Sequence, residues 1–145
     1  MSFRTSLRVL GAALPSLALF ACAHPGSSQT MASACAAPLK PAVEVELYFG
    51  RDKPSGGGVS DADWASFLSQ TVTPQFPAGL TVLDAYGQYR GPAGVVSSER
   101  TKLVVIVVFD APAYRPKVAS VVDAYKQRFG QHEVFQVERS VCAGP

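Results

Sequence analysis

Apolar and polar residues alternate with a period of two over residues 43–49 (VEVELYF), which sets Val43, Val45, Leu47 and Phe49 on one side and Glu44, Glu46 and Tyr48 on the other. The pattern predicts a strand with one buried face. After a glycine-rich loop at residues 50–59 the period changes. Trp64, Phe67, Leu68 and Val72 fall at i, i+3, i+4 and i+8, the apolar stripe of a helix. Ser60 is placed to cap that helix, Asp61 and Asp63 favour its dipole, and Pro74 and Pro77 are expected to stop it. Residues 80–90 and 102–109 read as two further strands, an antiparallel hairpin with a long connection at 91–100. Pro112 and Pro116 suit the opening of a second helix whose stripe is Val118, Val121, Val122, Tyr125 and Phe129, with Gly130 as its stop. Residues 132–141 alternate again, Phe135, Val137 and Val141 opposed to Val134, Gln136 and Glu138, and give the last strand.

The predicted order is βαββαβ. Two helices covering one face of a four-stranded antiparallel sheet make an α+β, ferredoxin-like domain over residues 43–142. Its usual strand order, 4-1-3-2, lays the last strand against the first and brings Cys142 to where residue 43 is entered. The sheet face away from the helices is expected to hold Glu44, Glu46 and Tyr48. From the second strand it takes Asp84, Tyr86, Gln88 and Arg90 if Leu83 and Tyr89 point inward, and from the fourth Gln136 and Glu138. Residues 103–109 (LVVIVVF) are apolar on both faces. Val104, Ile106 and Val108 are therefore expected on the outer face, where a second copy of the chain is the simplest cover and gives a homodimer; the alternative is a monomer in which the tether or the connection at residues 91–98 folds over this face.

Residues 1–8 carry Arg4 and Arg8, residues 9–20 are apolar, and Ala21-Cys22 follows, the three parts of a bacterial export signal. Twelve residues of helix rise about 18 Å, short of a hydrocarbon core of about 30 Å, so a permanent span is disfavoured. Leu19-Phe20-Ala21-Cys22 resembles a lipobox, with Phe20 bulkier than usual at its place, and implies cleavage after residue 21 and lipid on Cys22. Ordinary signal-peptidase cleavage is the alternative, since Ala21-Cys22-Ala23 and Ala32-Ser33-Ala34 are both small-x-small. Residues 22–42, with three prolines and no apolar period, form a tether reaching about 25 Å. The chain is thus expected on the periplasmic side of a bacterial membrane. Lipid on Cys22 leaves Cys35 and Cys142 to pair in an oxidising compartment.

Charge narrows the partners. The signal removes two of the 13 basic residues and none of the 11 acidic ones, so the remainder is close to neutral. A balanced, scattered charge set gives no footprint for nucleic acid.

Strings along the domain are also familiar as a set. Residues 45–50 (VELYFG), 59–68 (VSDADWASFL), 73–84 (TPQFPAGLTVLD), 87–90 (GQYR), 99–102 (ERTK) and 125–131 (YKQRFGQ) resemble the bacterial family known as domain of unknown function 3574. The resemblance covers about residues 43–142. It implies an exported or lipoprotein context and a single small domain, and carries no activity with it.

Candidate chemistry is sparse. Gly56–Gly58 before a helix lacks the Gly-Lys-Ser/Thr of a phosphate loop, and Asp61 and Asp63 would repel an anion there. Ser55 and Ser60 lack a nucleophile-elbow context, Asp61 and Asp63 serve a cap better than catalysis, and His132 beside Glu133 reads as an edge histidine. No Cys/His cluster or Cys-x-x-Cys offers a zinc site, and no cofactor is expected. The polar residues left for a ligand are Tyr48, Asp84, Tyr86, Gln88, Arg90, Glu99 and Lys102. These features favour an exported small-ligand-binding or accessory envelope protein. The alternatives are a small-molecule enzyme of the dimeric ferredoxin-like kind and a structural envelope protein.

Overall fold

A computed structural model describes residues 35–53, 55–90 and 94–145. The segment expected to be an export signal, the expected lipidation at Cys22 and most of the expected tether lie outside the described residues. The period-two segment becomes β1, Lys40–Gly50, which begins at Lys40 because residues 40–42 already pair with residues 141–143. β1 lies between β3, Val96–Val108, and β4, Phe135–Ala143, while β2, Thr81–Arg90, forms the edge beyond β3. The antiparallel order β2-β3-β1-β4 is the expected 4-1-3-2 arrangement. Pairing of β4 with β1 brings Cys142 to Cys35, and the two form a disulfide with Cα atoms 5.6 Å apart.

Helices cover one face. α1, Asp61–Phe67, starts at a capping box in which Ser60 Oγ accepts the Asp63 amide at 3.1 Å and the Asp63 carboxylate accepts the Ser60 amide. A cap of this kind is worth about 1 kcal/mol. Its hydrogen bonds from Ser60 hold the Asp63 carboxyl below the usual range. The helix does not stop at Pro74. It widens into a π segment, Leu68–Val72, in which the Thr73 amide reaches back to Leu68, and continues as α2, Thr73–Gln75. Pro74 is then in the first turn of a new helical piece, where its missing N–H costs nothing. α3, Arg115–Phe129, buries Val118, Val121, Val122, Tyr125 and Phe129 and ends on Gly130 in the left-handed conformation, φ 67°.

Between the layers, Phe49 is ringed by Trp64, Phe67 and Tyr125 at centroid distances of 5.3, 5.9 and 4.7 Å. Tyr125 donates from its buried hydroxyl to the Gly50 carbonyl at 2.9 Å, and burial pushes its pKa well up. The chain end of β1 is thereby pinned to α3.

Strand register corrects the assignment of faces. Val43, Val45 and Leu47 sit opposite Val108, Ile106 and Val104, so these three β3 residues face the helices and are 9%, 1% and 0% exposed. The open face holds Leu103, Val105 and Val107 instead. The expected dimer surface built on Val104, Ile106 and Val108 is therefore the core of the protomer. On β2, Val82 and Asp84 pair with Val104 and Lys102 on the helix side, which places Tyr86, Gln88 and Arg90 in the same row and turns Leu83 outward. On β4, Gln136 and Glu138 oppose Leu47 and Val45, so they too belong to the helix side, and Tyr114 donates to Glu138 at 2.8 Å. Only the assignment of Glu44, Glu46 and Tyr48 to the open face holds.

β3 also starts earlier than the apolar run. Residues 96–100 pair with residues 86–90, beyond the last β1 partner at Thr101, and form a two-stranded ribbon. A ribbon without a third strand has no core to face, so its sequence is polar and reads as a loop.

Candidate functional site

The open face changes character toward the end of β1. In one row of the sheet Gly50 pairs with Thr101, which pairs with Ala85; in the next, Gly87 pairs with Glu99. Two glycines and an alanine leave a depression, because nothing larger than a methyl rises from three of these positions. A cleft of about 810 Å³ opens there. Gly50, Gly87 and Thr101 floor it; Tyr48 and Phe135 stand at one end and Tyr89 and Ser97 at the other. The turn before β4 supplies Gln131, His132 and Glu133, and the loop after β1 supplies Asp52 and Lys53.

Glu99 is the central polar group. Its carboxylate lies over Gly50, where a Cβ would come within 2.7 Å of Glu99 Cδ, and Oε1 accepts the Asp52 amide at 2.9 Å. Gln131 Nε2 donates to the Asp52 carbonyl at 2.7 Å and ties the two loops together. Tyr48 and Phe135 meet edge to face with centroids 5.7 Å apart. The Tyr48 hydroxyl donates to Glu46 Oε2 at 2.5 Å, and that hydrogen bond raises its pKa. Glu46 and Glu44 are in turn both paired with Arg139, which offsets one of their two charges.

Of the residues expected to bind a ligand, Tyr48, Gln88 and Glu99 line the cleft. The other four do not. Lys102 and Asp84 form an ion pair on the helix side, where Lys102 Nζ is also 3.9 Å from Asp61, and the Lys102 hydrogen bond lowers the Asp84 pKa. This pair adjoins a latch in which buried Arg51 donates to the Val59 carbonyl and to Asp61 at 2.8 Å, closing the loop onto the start of α1. Tyr86 is exposed in the helix-side row, and Arg90 donates to the Gly94 carbonyl near the ribbon tip at 2.7 Å. Sequence reasoning missed Gly50, Gly87 and Thr101. A glycine inside a strand was the available signal, since it marks a bulge or a close approach. Among the described residues no group of three or more His, Cys, Asp or Glu is placed to hold a metal ion, and no helix is long and apolar enough to cross a membrane.

Residues 44–144 match the family described as "Protein of unknown function (DUF3574)". The chain belongs to this family. Two solved structures share its ferredoxin-like fold. One is a phage SAM lyase in complex with S-methyl-5′-thioadenosine, 12% identical over 70% of this chain and 90% of that one, with a TM-score of 0.54. The other is phage SAM lyase in the apo state, 14% identical over 72% of this chain and 86% of that one, with a TM-score of 0.52. No curated protein matches the chain. At these identities the likeness is one of fold.

Proposed function

We propose that this family member is an exported, lipid-anchored protein that binds a small organic molecule in the cleft floored by Gly50, Gly87 and Thr101. The cleft carries the proposal: it has the size of a small-molecule site and combines apolar walls with a few convergent polar groups. The Leu19-Phe20-Ala21-Cys22 string after a basic and an apolar segment supports the anchor. Cys35 and Cys142 lie at the Lys40 end of β1, and the cleft lies at the Gly50 end, about 33 Å along the strand.

Purification of the full chain from membranes in mild detergent, followed by native mass spectrometry, is expected to show a retained small molecule. Gly87→Leu should lose it, because the floor has room for the new side chain and the backbone there needs no left-handed conformation. S-methyl-5′-thioadenosine, the compound in the phage SAM lyase complex, is a rational first probe. Protein that retains nothing, and whose melting temperature is raised neither by this probe nor by a small-molecule extract of the envelope, would overturn the proposal. For the anchor, a fatty-acid analogue should label the wild type and not Cys22→Ala, which should leave the membrane fraction. An equally membrane-bound variant would remove the anchor.

A second function shares the site. His132, Glu99 and Glu133 line the same cleft, and an imidazole and two carboxylates are side chains of the kind that acid–base catalysis uses. Recovery of a chemically altered form of a bound probe would distinguish catalysis from binding.

A further inference from the structure

The cleft has an uneven charge. Asp52, Glu99 and Glu133 line it against a single ammonium, and Lys53 Nζ sits 5.8 Å from the centroid of Phe129, a core residue that does not line the cleft. This one ammonium of the cleft lining is thereby shared with an aromatic face outside it. Glu99 is half-buried on the floor. One of its oxygens takes the Asp52 amide, and the other has no partner among the described residues. Beside it Thr101 is only 8% exposed, and its hydroxyl makes no hydrogen bond among the described residues.

From these features, and resting on the cleft being a ligand site, we infer that it selects a molecule joining a flat ring to a positively charged group. A half-buried carboxylate with a free oxygen attracts a cation more strongly than it would in water and repels an anion by as much. The ring's place is set by the sheet. Tyr48 and Gly50 point to the same face two residues apart, about 7 Å, so the Glu99 carboxylate over Gly50 lies one short spacer from the rings of Tyr48 and Phe135. A ring packed against that pair extends a two-carbon arm to Glu99, with Thr101 below the arm. The neighbouring carboxylates of the open face compete less for the cation, because Arg139 pairs with both Glu44 and Glu46 and offsets one of their two charges.

Three probes with one ring and one arm length test the selection: tyramine, tyrosol and 3-(4-hydroxyphenyl)propionate, whose arms end in an ammonium, a hydroxyl and a carboxylate. Each is titrated into the full-length protein in detergent by calorimetry. Tyramine is expected to bind at least 10-fold more tightly than tyrosol, about 1.4 kcal/mol, and the propionate more weakly than either. Glu99→Gln keeps the shape and should reduce the tyramine preference over tyrosol to less than about 3-fold, or about 0.65 kcal/mol. Gly87→Leu should weaken all three together. Tyrosol or the propionate binding as tightly as tyramine would overturn the inference, as would a preference that survives Glu99→Gln, or no binding by any probe. In each of these cases the retained-ligand measurement still decides independently whether the cleft is a site at all.

Discussion

Ile106→Glu is expected to leave little folded protein, whereas Val107→Lys, on the adjacent residue, is expected to fold with a change of less than about 0.5 kcal/mol. Ile106 is 1% exposed, opposite Val45 in the ladder and beneath the helices. A glutamate there loses the isoleucine's packing and buries a carboxylate for which the core offers no cation. The combined loss is at least about 4 kcal/mol, against a total stability of about 5 to 15 kcal/mol for a domain of this size. Val107 has the opposite parity. It is 37% exposed on the open face and sits across from Glu44, so a lysine there reaches solvent and an opposite charge. Urea unfolding of the two variants, followed by circular dichroism, separates the two faces of β3. An Ile106→Glu protein of near-native stability would mean that the register given for β1 and β3 is wrong.

Cys142→Ser should cost about 4.7 kcal/mol and lower the melting temperature by roughly 15–20 °C, with a reducing agent producing the same change in the wild type. The bridge spans 107 residues and closes nearly the whole domain into one loop. Its effect lies mainly in the unfolded chain, whose freedom it restricts, and the restriction grows with the logarithm of the loop length. In the folded state it fastens the open end of the β1–β4 pair, where residues 40–42 meet residues 141–143. Calorimetry with and without reductant provides the measurement. A loss below about 1 kcal/mol would show that the ladder alone holds that end and that the bridge adds little.

The corrections at the site share one physical cause. β1 alternates cleanly, and its outward residues Glu44, Glu46 and Tyr48 were legible from one seven-residue window. Residues 103–108 offer no alternation, since valine and isoleucine fit either face, and a shift of one residue reverses every side chain. The parities of β2 and β4 rested on Leu83, Tyr89 and Phe135 pointing inward, and all three are exposed large apolar residues. A ligand set drawn from the wrong face then mixed cleft residues, such as Glu99, with the Lys102–Asp84 pair on the far side.

The ribbon and the π segment illustrate a different limit. Residues 96–100 pair with β2 through backbone groups and one polar side-chain contact, Gln88 Nε2 donating to Ser98 Oγ at 3.1 Å, and such pairing leaves no hydrophobic period to read. Pro74 is a valid stop signal for a regular α-helix, but the wider turn at Leu68–Val72 shifts the hydrogen bonding so that the proline begins a new piece. In both cases the outcome depends on neighbours distant in sequence.

The sequence by itself determined the order of elements, the ferredoxin-like architecture, the helix stripes, the Ser60 cap, the Gly130 stop and the pairing of Cys35 with Cys142. Each is set by local periodicity, backbone preference or counting, and local physics suffices for them. Tertiary structure alone decided which face of β3 is buried, where the loops after β1 and α3 meet, and that Gly50, Gly87 and Thr101 make a floor with the Glu99 carboxylate above it. A cleft is the space left between side chains from different strands, and its shape follows from registers that only long-range packing selects.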